Sequence, residues 1–149
     1  MAALSSETLH ATTVAIGDRA VMLCGVSGSG KSDLALRLID RGAKLVSDDY
    51  TLAKRVGKRL LATSPTTIAG KMEIRGIGIV EMGWVADMPV ALVVDLFDIV
   101  DRMPAEPMQR AIAGVRIPVM KVAPREASAP IKVEFALKAF GLGEGGPGS

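Results

Sequence analysis

Gly25-Val26-Ser27-Gly28-Ser29-Gly30-Lys31-Ser32 fits G-x-x-x-x-G-K-[ST], the spacing of a phosphate-binding loop. The motif constrains the fold because it needs a strand to feed the loop and a helix to leave it. Both flanks comply. Ala20-Val21-Met22-Leu23-Cys24 is an apolar run that reads as a buried strand, and Asp33 to Arg41 carries a helical pattern that stops at Gly42. Glycines let the backbone curl so that successive N–H groups converge on an anion. The helix N-terminus adds unpaired donors and its dipole. In such a loop Gly25, Val26, Ser27, Gly28, Ser29 and Gly30 cradle a polyphosphate. Lys31 neutralises the β- and γ-phosphates, and the Ser32 hydroxyl can hold Mg²⁺.

A chain of 149 residues is one α/β domain with a real core, and no internal repeat marks a second unit. Although 49% of the residues are hydrophobic, no run approaches the ~20 apolar residues of a membrane span. A net charge of +2, without a basic block, does not suggest nucleic acid. Met1 to Glu7 carries neither a basic start nor a long apolar run, so no secretory signal is expected. The single cysteine, Cys24, cannot form an internal disulfide, which fits a reducing cytoplasm.

In order, Thr8 to Ile16 reads as a strand that turns at Gly17-Asp18-Arg19 and returns as Ala20 to Cys24. It carries the only histidine, His10, which is either a structural side chain or a group titrating near neutrality. Ala43 to Ser47 is a short strand that ends in Asp48-Asp49. Carboxylates there sit where open α/β sheets place ligands, although Asp equally suits a turn. Successive strand residues face opposite ways, so only a bend would bring both carboxylates to one site. Thr51 to Ala62 reads as a hairpin about Gly57. In Lys71 to Glu81, Glu73 and Arg75 would share a face if extended, offering a metal ligand and a phosphate ligand or simply a solvated edge. Gly76 and Gly78 would permit close backbone approach. Pro89 to Asp95 is the strongest buried-strand signal, and Asp95 at its end competes with Asp48 and Asp49 for the metal-side role. The pattern then predicts a helix over 105–113, an extended segment over 116–122, a helix over 131–140 and a disordered Gly-rich tail over 141–149.

Leu9-His10-Ala11-Thr12-Thr13, the glycine loop, Leu45-Val46-Ser47-Asp48-Asp49 and Met72-Glu73-Ile74-Arg75-Gly76-Ile77-Gly78-Ile79 occur here in that order. Together they resemble the catalytic domain of the HPr kinase/phosphorylase family, with Asp101-Arg102 and Ile117-Pro118-Val119 extending the likeness. The resemblance implies a P-loop kinase-like, PEP-carboxykinase-like domain over 1–140, a mixed β-sheet flanked by helices. It implies ATP and Mg²⁺ as cofactors, the phosphocarrier protein HPr as partner, a homohexamer and a cytoplasmic setting without membrane or nucleic acid. His10, Lys31, Asp48 and Arg102 would form the catalytic set. Asp48 would be the serine's proton acceptor and His10 its support; Ser32 and Glu73, aided by Asp49, would bind the metal. The chain resembles the family's short, alphaproteobacterial form. It also departs from the family: a Pro-Gly-Arg-Asn stretch linked to dephosphorylation is reduced here to Pro124-Arg125. A small-molecule kinase or a nucleotide-dependent switch would use the same loop, and Asp95 as the metal-side carboxylate would favour either.

Overall fold

The structure, a computed structural model, describes residues 5–103 and 106–148. Strands β1 (Ser6–Leu9), β2 (Ala11–Ile16) and β3 (Arg19–Cys24) lead through the glycine loop into helix α1 (Lys31–Asp40). Strands β4 (Lys44–Ser47), β5 (Thr51–Val56) and β6 (Arg59–Thr63) follow, then a 3₁₀ turn at Thr66–Ile68 and the hairpin β7 (Lys71–Ile74) and β8 (Gly78–Glu81). Strands β9 (Met88–Leu96), β10 (Met108–Ile112) and β11 (Val115–Val122) precede the closing helix α2 (Ala129–Phe140).

Nine strands form one mixed sheet in the order β1-β5-β6-β9-β3-β2-β4, with β11 and then β10 branching from β9; β7 and β8 form a separate ribbon. Strand β9 joins the two wings. Its first residues, Met88 and Pro89, pair antiparallel with β6, and its last, Val93 to Leu96, pair parallel with β11. Strand β3 runs parallel to it, with Cys24 opposite Asp95. Two neighbouring strands therefore end together at the mouth of the glycine loop.

The central strands are apolar on both faces because both faces are covered. Val21, Leu23, Ala91 and Val94 join one core with Leu34 and Leu38 of α1 and Val133 and Leu137 of α2. Ala20, Met22, Val90 and Val93 join the other, closed by Ala53, Leu60 and Ala62 of the strand wing and Ile112 and Ile117. Both helices thus supply the first core.

Three expectations change. Residues Thr8 to Ile16 are not one strand: the chain breaks at His10, so that β1 pairs with β5 while β2 pairs with β3 and β4. His10 therefore stands at the corner where the chain passes from one wing to the other. The helix expected over 105–113 is instead strand β10, with Ala105 outside the described residues. Glu106, Met108, Gln109 and Ala111 favour helix locally, but a two-residue turn at Ala113 (φ 48°) and Gly114 (φ 82°) zips this segment onto β11. Finally, the tail expected to be disordered from Gly141 is anchored at its start. Leu142 N–H donates to the Ala91 carbonyl at 3.0 Å, and the Leu142 carbonyl accepts from Arg19 Nη1 at 3.1 Å.

Candidate phosphate and acceptor site

The glycine loop leaves β3 and closes on itself through Ser29 N–H donating to the Val26 carbonyl at 3.0 Å. Gly28 (φ 81°) and Gly30 (φ 102°) lie in the left-handed region, which a side chain would strain. Gly30 caps α1 with no side-chain hydrogen bond, so the first-turn N–H groups remain open to an anion. Lys31 is buried, and its Nζ donates to the carbonyls of Gly25 (2.8 Å) and Val26 (3.2 Å). An ammonium already held across the loop is in position to exchange carbonyls for phosphate oxygens.

Two cavities flank the loop. One, about 670 Å³, is lined by Lys31, Ser32, Asp48, Asp49, Glu73 and Arg75 together with glycines of the loop and of the β7–β8 turn. The other, about 570 Å³, lies against Cys24 to Ser29, Asp95 to Asp98 and Arg125. Gly76 (φ 88°) makes the tight turn that closes the β7–β8 hairpin, where Ile77 N–H donates to the Ile74 carbonyl at 2.9 Å.

The two adjacent aspartates reach the first cavity together because the strand bends between them. Tyr50 N–H donates to the Asp48 carbonyl at 2.8 Å, closing a three-residue turn about Asp49, whose φ is 67°. Their surroundings differ sharply. Asp48 is 7% exposed and accepts three hydrogen bonds: Oδ1 from Ser32 Oγ (2.6 Å) and Thr12 Oγ1 (3.1 Å), and Oδ2 from Glu73 N–H (3.0 Å). The Asp49 side chain is 55% exposed, with Oδ1 at 2.7 Å from His10 Nε2. The His10 ring stacks on Tyr50 with centroids 5.1 Å apart. His10 thus bonds Asp49, whereas the expectation paired it with Asp48, and the Ser32 hydroxyl turns to Asp48.

Thr12 is the organiser that sequence reasoning left without a role. Fully buried, it donates to Asp48 and accepts from Asp49 N–H at 3.1 Å, so one hydroxyl fixes both aspartates. Beneath it, Thr13 and Thr51 share a hydrogen bond of 2.8 Å, and Ser47 meets Ser64 at 3.2 Å. A second threonine in a β-rich strand is unremarkable as sequence; only the pairing of β2 with β4 gives it this work.

Asp95 does not join the cluster. Its carboxylate takes a bidentate ion pair from Arg110 at 3.0 and 2.7 Å. Hydrogen bonding to that carboxylate raises the Arg110 pKa further. Burial, helped by the Asp95 charge, pushes the Cys24 thiol up to about 11, which suits a packing role. Arg102 is exposed, borders neither cavity and, among the described residues, has no hydrogen-bond partner; the structure does not bring it to the other predicted site residues.

The donor set suits Mg²⁺. Ser32 donates its proton to Asp48, which leaves the hydroxyl lone pairs free for a cation, and Glu73 borders the same cavity. Among the described residues no three His, Cys, Asp or Glu side chains could hold a metal alone. Mg²⁺ does not need them, since it keeps waters and takes one or two carboxylates beside substrate phosphates.

A glycine loop that leaves a strand with a parallel neighbour and ends at an open helix N-terminus defines an α/β domain of the P-loop kind. More narrowly, the chain belongs to the family described as the HPr serine kinase C-terminal domain, which matches residues 2–142. It is similar to the HPr kinase/phosphorylase of Clostridium tetani, 40% identical over 80 residues, which cover 53% of this chain and 26% of that protein. It is 42% identical over 77 residues to the HPr kinase/phosphorylase of Chlorobium phaeobacteroides, covering 51% and 23%. The chain spans about a quarter of the length of these curated relatives. The solved structure of the Hpr(Ser) kinase/phosphatase from Coxiella burnetii superposes with a TM-score of 0.77 at 27% identity, covering 89% of this chain and 94% of that one. Among the described residues, no helix is long and apolar enough to cross a membrane.

Proposed function

We propose that this chain is an ATP-dependent serine kinase acting on the phosphocarrier protein HPr, in a cytoplasmic homohexamer. The observation that carries the reading is the His10–Asp49 pair: an accessible carboxylate, oriented at 2.7 Å by a histidine, in the cavity that the glycine loop borders. Phosphoryl transfer needs positioning, charge neutralisation and a base near the acceptor hydroxyl. Loop amides and Lys31 hold the polyphosphate. Ser32, its hydroxyl turned by Asp48, and Glu73 would hold Mg²⁺, which would neutralise phosphate charge. Asp49 accepts the serine proton and, in the reverse direction, returns it. His10 orients Asp49, and Arg75 at the cavity rim meets phosphate on substrate or product. The base role thus moves one residue along from Asp48, which three hydrogen bonds already engage.

An exposed apolar tip supports assembly or docking at the same face: Ile77 and Ile79 on the β7–β8 ribbon are 75% and 73% exposed. Reversal by phosphorolysis is expected to be weak, because only Pro124-Arg125 remains of the stretch linked to it. The small-molecule kinase and switch readings lose their main support, since Asp95 is committed to Arg110. The test is mass spectrometry of HPr after incubation with this protein, ATP and Mg²⁺. A phosphate on one HPr serine is the expected result; unmodified HPr alongside ATP turnover would sink the assignment.

A further inference from the structure

Arg125 is the residue common to both cavities that lies outside the glycine loop. It is exposed, and among the described residues it has no ion-pair or hydrogen-bond partner. Glu126 beside it pairs with Lys132 at 2.8 Å and Asp33 with Arg37 at 3.1 Å, while Asp98 and Glu73, which line the cavities with Arg125, have no side-chain ion pair with it among the described residues. The loop that carries it is nonetheless fixed on both sides. Arg37 of α1 donates from Nη2 to the Pro124 carbonyl and from Nη1 to the Glu126 carbonyl at 3.1 Å, so one guanidinium grips the residues before and after Arg125. Pro124 is buried against the glycine loop, where a side chain at Gly30 would meet its ring at 3.4 Å. A free cation thus lines both cavities beside a loop shaped for an anion, on a segment gripped by the helix whose N-terminus completes that loop.

We propose that Arg125 is a nucleotide-phosphate ligand, a second cation beside Lys31, and that Arg37 is its positioning residue. The inference rests on the nucleotide reading above and deepens it. A guanidinium offers a planar fork of donors that matches phosphate oxygens, which an ammonium does not. From its place between the cavities it bridges the polyphosphate chain, so its contribution tracks phosphate and not the base.

The test is titration of the full chain with a fluorescent ADP analogue in the presence of Mg²⁺, with inorganic pyrophosphate as competitor. Arg125→Ala should weaken both ligands by roughly 10- to 100-fold, the worth of a charged hydrogen-bond pair. Arg125→Lys should recover part of the loss. Arg37→Ala should weaken binding less, and should add nothing in the Arg125→Ala background, a non-additivity that a merely structural role would not produce. Parent-like affinity in Arg125→Ala, with binding lost in Lys31→Ala, would overturn this inference alone. Parent-like affinity in Lys31→Ala would overturn the nucleotide reading beneath it. Additive losses in the double variant would remove Arg37 from its positioning role.

Discussion

Asp48→Asn isolates what the buried aspartate does. In the parent, Oδ1 accepts from two hydroxyls and Oδ2 from the Glu73 N–H, at 7% exposure. An asparagine keeps one acceptor. The Glu73 N–H is fixed, so the amide turns its oxygen there and its NH₂ to the Thr12 and Ser32 hydroxyls, whose own protons then lose their acceptor. Leaving a buried donor unpaired costs about 1–3 kcal/mol, and the surviving bonds lose their charge assistance, so the total is about 2–4 kcal/mol. In a domain of this size the expected fall in Tm is about 5–15 °C. Asp49→Asn, with a half-exposed side chain and one partner, should change stability by less than about 0.5 kcal/mol while lowering phosphoryl transfer by roughly 10²–10⁴. Thermal and urea denaturation, read beside initial HPr phosphorylation rates, separate the two variants. A fully stable, fully active Asp48→Asn would refute the hydrogen-bond argument; an active Asp49→Asn would return the base role to Asp48.

Lys31→Ala should stay folded, since its Nζ bonds only to loop carbonyls, yet lose nucleotide binding by calorimetry. Asp95→Asn should keep nucleotide affinity within about threefold, because the carboxylate serves Arg110 and not the phosphates, and should lose about 1–2 kcal/mol of stability by urea titration. The Cys24 thiol, raised from 9.0 to about 11 by burial and then by Asp95, stays protonated in the folded state while the unfolded chain ionises. The unfolded state then binds fewer protons, so stability falls as pH climbs from about 9 towards 11. Cys24→Ser should flatten that part of the urea-midpoint profile.

Much of the fold was legible because the central strands are buried on both faces and read as continuous apolar runs. Ala20 to Cys24 and Pro89 to Asp95 needed no periodicity argument, and the loop between strand and helix carried its own signature. The failures lie where tertiary pairing overrode local preference. Met108 to Ile112 has helix-forming residues, but the Ala113-Gly114 turn and the Arg110–Asp95 ion pair hold it as a strand. Leu142 looked like part of a glycine-rich tail; its value is a single backbone bond to Ala91 and a half-buried place between the two cores.

The aspartate pair shows why a site can be legible in its membership and not in its roles. Of the residues named from sequence, Lys31, Ser32, Asp48, Asp49, Glu73, Arg75 and Gly76 border this cavity, at or near a strand end, a turn or the helix start, whereas His10 and Arg102 do not. Which aspartate meets which partner depends on one dihedral. With Asp49 extended, the two carboxylates would face opposite ways, and His10 could serve only one face. At φ 67° the chain reverses within three residues and sets Asp48 inward against Ser32 and Thr12 and Asp49 outward against His10. Such strained single residues are held only where their surroundings over-determine them. Here the Thr12 hydroxyl bonds to Asp48 and to Asp49 N–H, and His10 bonds the Asp49 carboxylate, so the turn is fixed from both sides. Thr12 lies in β2, only two residues beyond His10, and the same wing junction that exposes the histidine buries the threonine. The different surroundings of the two aspartates therefore depend on the break between β1 and β2, some forty residues earlier in the chain, as well as on the turn at Asp49 itself.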